Sequence, residues 1–172
     1  MRTVSGFNSN HEKSPVTIRH DLRPGDIGYL IYLHGILYAQ EHGFDCTFEP
    51  YVAGPMAEFV KSRTTRERLW VVEKGGRIAG SVAIVKFSER QAQLRWLLLH
   101  PDARGCGIGR TLVEKAVRFC RDNGYSSVFL WTVSALTRAA GLYESVGFRV
   151  TEETTREIWG TIVTEQRYDL EL

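Results

Sequence analysis

The residues best suited to chemistry lie together in one stretch. The apolar run Leu97-Leu98-Leu99 stops at His100-Pro101-Asp102-Ala103, and Arg104-Gly105-Cys106-Gly107-Ile108-Gly109-Arg110 follows. An apolar strand delivers the chain to a glycine-rich bend, and the bend opens an amphipathic helix. A helix that starts this way leaves first-turn N–H groups free and turns the positive end of its dipole outward, which suits a phosphate. Glycines let the backbone approach the anion, and Arg104 and Arg110 add positive charge. Two other phosphate loops are excluded by spacing. A Walker A loop needs lysine after its last glycine, where this chain has Arg110. A dinucleotide fingerprint needs Gly-x-Gly-x-x-Gly and an acid after the next strand, whereas the spacing here is Gly-x-Gly-x-Gly and that strand ends in Trp131-Thr132-Val133. A tight turn that binds nothing is the plain alternative.

The elements that must position this loop are legible on both sides of it. Val16 to Arg19 alternates as a short strand, and Asp26 is placed to cap a helix from Ile27 to His42, with Ile27, Leu30, Ile31, Leu33, Ile36 and Leu37 at helical spacing and Gly43 as its stop. A second helix, from Phe48 to Lys61, carries Phe48, Val52, Met56, Phe59 and Val60 on one face, with Pro50 in its first turn. A meander follows: strands over 68–73, 78–87 and 91–99, the first pair joined by Lys74-Gly75-Gly76-Arg77. The last of these alternates at Gln93, Leu94, Arg95 and Trp96 and then becomes wholly apolar, as a strand entering a sheet centre would. After the loop come a helix over 108–123, with Ile108, Leu112, Ala116 and Cys120 on one face, a buried-type strand over 127–132, a helix over 136–146 ending at Gly147, and two closing strands. Hairpins before and after one strand–helix–strand crossover predict a mixed α/β sheet with a single parallel neighbour.

Bulk properties narrow the function. The chain has 172 residues, which suits one domain spanning 15–172 behind a polar, flexible tail at 1–14. A net charge of +2 gives no reason to expect nucleic acid or a membrane surface. No apolar stretch is long enough to span a bilayer, and the start lacks a signal-peptide core. Cys46, Cys106 and Cys120 have no metal-ligand spacing and read as reduced thiols of a cytoplasmic protein; no metal site is expected. His34, His42 and His100 likewise have no partners at metal-ligand spacing. The four tryptophans are spread over several strands, as core or pocket wall, and no basic reading helix is present.

The loop Arg104-Gly105-Cys106-Gly107-Ile108-Gly109 resembles the pyrophosphate loop of the GCN5-related N-acetyltransferases (GNAT). Ala139-Ala140-Gly141-Leu142-Tyr143-Glu144-Ser145-Val146-Gly147-Phe148 resembles that family's second signature, in the same order and at the same separation. The N-terminal half is similar to the acetyltransferase half of bacterial proteins that fuse a MarR-type regulator to such a domain, without the regulator. The resemblance implies an acyl-CoA N-acyltransferase fold: a central mixed, mostly antiparallel sheet flanked by about four helices. It implies acetyl-CoA as co-substrate, its pyrophosphate held over 104–110 and its pantetheine arm paired along Leu97, Leu98 and Leu99. It implies transfer to a primary amine of a small molecule, amino acid or peptide by direct attack, with Tyr143 as proton donor to the leaving thiolate. A tyrosine merely packed at a helix end is the alternative for Tyr143.

Two positions depart from the family pattern. Gln93 stands where many members carry a glutamate base, and an amide cannot accept that proton at neutral pH. The base is then water, or a residue from the acceptor side such as Glu41, His42 or Glu49. Thr137 replaces an asparagine that often contacts the cofactor. Arg95, on the same face as Gln93, either binds an acidic substrate group or pairs with an acid across the sheet. The segment over 41–49 either covers the acceptor pocket or is a solvated connection. An acyl-CoA-binding sensor without turnover is the second functional reading, favoured by Gln93 and disfavoured by Tyr143. A monomer and a homodimer both remain compatible with the terminal strands.

Overall fold

Alternating side chains and a two-glycine turn build the first half of the sheet. The computed structural model describes residues 14–172, so the tail expected over 1–14 lies, apart from Ser14, outside the described residues. Strands β2 (Arg68–Lys74), β3 (Arg77–Lys86) and β4 (Gln91–Leu99) run antiparallel, with β1 (Val16–Arg19) on the outer edge of β2. Gly75 and Gly76 both take positive φ, 57° and 75°, as a hairpin turn matched to strand twist requires. Strand β5 (Ser127–Val133) lies parallel to β4; β7 (Thr161–Glu171) pairs antiparallel with β5 and with the edge strand β6 (Arg149–Ile158). The order β1-β2-β3-β4-β5-β7-β6 is the mixed, mostly antiparallel sheet with one parallel neighbour expected from the sequence.

Helices cover both faces. On one face α3 (Ile108–Asp122) and α4 (Thr137–Val146) pack on the sheet. Leu112, Val113, Ala116, Val117 and Cys120 of α3 are buried against Val72, Ile84, Leu94 and Leu130. Each of the leucines, isoleucines and valines among them contributes about 1.5–3 kcal/mol on burial. On the other face α1 (Asp26–His42) and α2 (Phe48–Ser62) bury Leu30, Phe48, Val52, Met56 and Phe59 over Leu69, Val71 and Ala83. Ile36 and Val60 are exposed, contrary to the expected inner faces. Each follows or precedes a buried neighbour, Leu37 or Phe59, and successive helical residues point about 100° apart, so only one of each pair can face the core.

Asp26 does not cap its helix. Gly25, at φ 94°, holds the N-cap position, and Asp26 is the first helical residue. Its buried carboxylate receives both Nη1 and Nη2 of Arg19 at 2.8 Å and the backbone N–H of Arg23 at 2.7 Å. The Arg19 hydrogen bonds hold the Asp26 carboxyl below the usual carboxylate range, against the opposing effect of burial. A depressed folded-state pKa contributes stability that is present above the unfolded value and lost as pH falls through the folded one. Asp26→Asn is therefore expected to lower stability by about 1–3 kcal/mol at pH 7 and to flatten the loss below about pH 4. Thermal melts from pH 2 to 7 check this; parallel curves for the two proteins would refute it.

Strand β4 departs most from expectation. Its apolar run does lie in the fourth of seven strands, as a strand entering the sheet centre would, but its burial alternates to its end, and Leu97 and Leu99 are only half-buried. Trp96 adopts φ 52°, and the register with β3 shifts between Ser81 and Ala83. This is a bulge, which inserts a residue and reverses which face each later side chain takes. Ala92 and Leu94 face α3, Trp96 turns to the α2 side, and Leu97 and Leu99 return to the α3 side. Ser81 Oγ donates to the Trp96 carbonyl at 2.7 Å and holds the bulge.

Candidate active site

The bulge opens the sheet. β4 and β5 pair only over Gln91–Gln93 against Ser127–Phe129 and then diverge. Beyond that seam each strand keeps a partner on its outer side alone, β3 or β7, so two backbone edges face one another across a cleft of about 990 Å³. Leu97, Leu98 and Leu99 line the β4 side, and Leu130 to Val133 the β5 side. An extended ligand with amide groups can pair with such an edge as an added strand would.

The glycine loop closes one end of the cleft. Gly105 and Gly107 sit at φ 78° and 77°, where a side chain is strained, and a Cβ on either would meet nothing within 4 Å. Their need is conformational, and the space over them is open. Gly109 differs: its Cβ would lie 3.3 Å from Leu142 Cδ2, so it allows α3 to approach α4. From Gly105 to Arg110 no backbone N–H donates to a described residue, and α3 has no side-chain cap. That row of free donors at a helix N-terminus fits a phosphate group. Gly105, Gly107, Gly109 and Arg104 line the cleft. The other three loop positions do not. Ile108 packs into the core, Cys106 Sγ turns to the Arg104 carbonyl at 3.7 Å, and Arg110 pairs with Glu114 at 2.7 Å.

Arg104 is itself anchored. Its Nε donates to the Leu99 carbonyl at 2.8 Å, and its terminal nitrogens grip Glu41 of α1 at 2.8 and 3.1 Å. Glu41 is thereby engaged through both oxygens, and α1 is tied to the loop. Of the other base candidates, His42 lines the cleft, while Glu49 lies outside it against Gly35. Gln93 and Arg95 line the cleft as the sequence placed them, and Thr137 joins them from the start of α4.

Tyr143 is buried on α4, with its ring against Phe148 and Tyr168 at centroid distances of 5.9 and 5.8 Å. It lines the cleft, and its hydroxyl makes no hydrogen bond to a described residue. Burial, with smaller contributions from Tyr38 and Tyr168, pushes its phenol far above the ordinary value. The raised value keeps the proton on the phenol, so its hydroxyl can donate into the cleft.

Glu165 is a cleft residue that sequence reasoning left aside, whereas Trp159 is the pocket wall expected of a tryptophan and His34 is packed in its helix. Glu165 of β7 is buried and holds Arg156 through Oε2 at 2.5 Å, leaving Oε1 without a partner among the described residues. Trp159, in the β6–β7 turn at φ 53°, packs on Phe44, Phe48 and Tyr51 at 4.9–5.0 Å, and its carbonyl accepts the Asp45 N–H at 2.9 Å. His34 is buried, bonds the Leu30 carbonyl through Nδ1 at 2.7 Å, and is held neutral by burial, with its pKa lowered to about 4. The segment over 41–49 is thus part of the cleft wall at Glu41, His42, Phe44 and Phe48.

Comparison with known proteins decides the family. Residues 36–148 match the model described as the acetyltransferase (GNAT) family. The chain belongs to the GNAT family. Among relatives, an uncharacterized N-acetyltransferase of Schizosaccharomyces pombe is 32% identical over 119 residues, 67% of this chain and 72% of that protein. Human N-acetyltransferase 8B is 34% identical over 99 residues, 55% of this chain and 44% of that protein. The chain spans about half the length of the mammalian curated relatives it matches. The GNAT fold is shared with yncA from Salmonella typhimurium, solved with its cofactor acetyl-CoA: TM-score 0.69, 19% identity, 91% of this chain and 93% of that one. GNAT proteins use acetyl-CoA as co-substrate, and the free loop donors and split strands fit its pyrophosphate and amide-bearing arm. Among the described residues, no helix is long and apolar enough to cross a membrane and no His, Cys, Asp and Glu group could hold a metal ion.

Proposed function

We propose that the protein is an N-acetyltransferase that moves the acetyl group of acetyl-CoA to a primary amine by direct attack within the cleft. The observation that carries this reading is the coincidence of three features on one cavity: the unpaired N–H row at 105–110, the two bare strand edges, and a protonated Tyr143 hydroxyl. Acetyl-CoA, when bound, supplies the thioester that the amine attacks. Gly105 to Arg110 bind the diphosphate through backbone donors, while Arg104, braced by Glu41, fixes the loop. Leu97 to Leu99 align the arm through main-chain groups. Free N–H groups on the bare β4 edge are the donors available to a developing oxyanion. Tyr143 holds a proton for the departing sulfur. The amine must lose a proton; Gln93 cannot take it, and Glu165 is the buried cleft carboxylate with a free oxygen.

A ligand that binds the native state alone raises the melting temperature as its concentration rises. Acetyl-CoA at about 100 times its Kd is expected to add about 2.7 kcal/mol, with free CoA producing a similar rise and ATP none. Thiol release with a panel of amines then reads turnover. No shift at millimolar acetyl-CoA would overturn the reading. A shift without turnover of any amine would favour a non-catalytic acyl-CoA sensor, the reading for which Gln93 speaks.

A further inference from the structure

Arg95 is a charge without a counter-charge. It lies on β4 just before the bulge, half-buried on the cleft wall, and neither hydrogen-bonds nor ion-pairs with any described residue. Of the other arginines that line the cleft, Arg104 is matched by Glu41, and Arg138 at the start of α4 is exposed to solvent. The guanidinium lies over the Trp96 ring, 5.1 Å from its centroid, and the phenol of Tyr51 is the titratable group that acts on it. No carboxylate offsets its loss of water. An unpaired, half-buried cation that lines a cavity is a position that an anionic ligand can complete.

The position excludes the co-substrate's phosphates as that ligand. Arg95 and Leu99 pair with Ala83 and Gly80, three residues apart on β3 and so roughly 10 Å along the strand, and the glycine loop lies beyond Leu99. Its guanidinium lies over Trp96, which packs on the α2 side, and near Tyr51, whose ring packs on Phe48 and Trp159, whereas Leu97 and Leu99 face the α3 side. A planar guanidinium fork matches a carboxylate in two parallel hydrogen bonds. The aromatic wall beside it suits an apolar body.

We propose that Arg95 determines acceptor specificity, and that the acceptor is a small amine carrying a carboxylate beside a large apolar group, as an α-amino acid with an aromatic side chain does. This rests on the acetyl-transfer reading for the word acceptor, and its test does not require turnover. N-acetyl-L-phenylalanine and N-acetylphenethylamine differ only in the carboxylate. Each is titrated calorimetrically into the protein with free CoA present. The carboxylate is expected to tighten binding on the order of 30-fold, the scale of a charge-assisted pair. Arg95→Met is expected to bring the ratio near one without lowering the melting temperature, since it removes a half-buried charge that no described carboxylate pairs. Arg95→Lys, which keeps charge but loses the fork, is expected to retain part of the ratio. Equal binding of the two compounds, binding of neither at millimolar concentration, or a ratio that survives in Arg95→Met would each overturn the proposal. So would a sharp fall in melting temperature for Arg95→Met with an unchanged ratio in Arg95→Lys, which would assign Arg95 to packing. Absence of acetyl-CoA binding would instead overturn the activity and leave this ratio to be read on its own.

Discussion

Tyr143→Phe is expected to lower kcat about 10²–10³-fold, the range for a lost general acid, while the acetyl-CoA-dependent rise in melting temperature stays. The ring packs against Phe148 and Tyr168, and phenylalanine keeps those contacts. The hydroxyl bonds no described residue, so its removal leaves no group unpaired in the free protein. The buried phenol is a weak acid in absolute terms. Its partner, however, is a thiolate formed in the same water-poor space, and desolvation raises thiol basicity as it raises phenol basicity. Desolvation weakens both acids in the same direction, so a proton can still pass from the phenol to the thiolate. The pH profile follows from the same argument. Activity should rise as the acceptor amine loses its proton and should show no falling limb from the phenol below about pH 10. Steady-state rates from pH 6 to 10 for both proteins check this. Full activity of the phenylalanine variant with a good acceptor would remove Tyr143 from the chemistry.

Gly80→Ala is expected to be the most damaging single methyl in the sheet. Gly80 pairs with Leu99, opposite the end of β4. A Cβ there would sit 2.3 Å from the Leu98 carbonyl oxygen and 2.7 Å from Leu99 Cδ2. The first atom is backbone and cannot step aside, so β3 and β4 must separate at the edge that lines the cleft. Overpacking of this kind costs about 2–4 kcal/mol, which lowers the melting temperature by roughly 5–15 °C at this chain length. Acetyl-CoA affinity should fall with it, because the displaced residues are those that align the arm. Gly141→Ala is the control: its Cβ would meet nothing within 4 Å on a helix, so it should leave stability near wild type or slightly above. Melting curves of both variants separate the two cases, and a Gly80→Ala protein as stable as wild type would show that the strands yield more easily than the distances allow.

The glycine-rich turn, the hairpins with one parallel crossover and the α3 face were all legible from residue types, because each rests on local rules. Glycine at positive φ, apolar positions at helical spacing and a two-glycine turn leave marks in composition. The bulge at Trp96 leaves none. A tryptophan at φ 52° contradicts every local preference and is held by Ser81 and by packing against Phe59, which only the folded chain brings near. The run Leu97-Leu98-Leu99 does lie in the central strand, but the residue pattern alone does not mark that its edge toward β5 is free. The acceptor side was hard to read for a second reason. Glu165 and Trp159 reach the cleft from the last hairpin, more than a hundred residues from Phe44 and Tyr51. Nothing in either segment announces the other. Asp26 and Glu49 show the converse, polar residues in suggestive positions that the fold uses for an ion pair and for packing on Gly35.

The short seam between β4 and β5 has a mechanical consequence. β1 to β4 form one stiff slab and β5 to β7 another, and Gln91–Gln93 against Ser127–Phe129 is the line along which they are stitched. A sheet torn open along half its length bends at the stitch far more readily than an intact one. The Arg104–Glu41 brace ties the loop to α1 but does not cross the gap between the slabs. A long ligand hydrogen-bonded to both lips would act as a splint, stiffening the sheet along its full width. Amide exchange at Leu97 to Leu99 and at Leu130 to Val133 would then slow together when the co-substrate is bound, although these residues lie on opposite sides of the gap and share no direct bond.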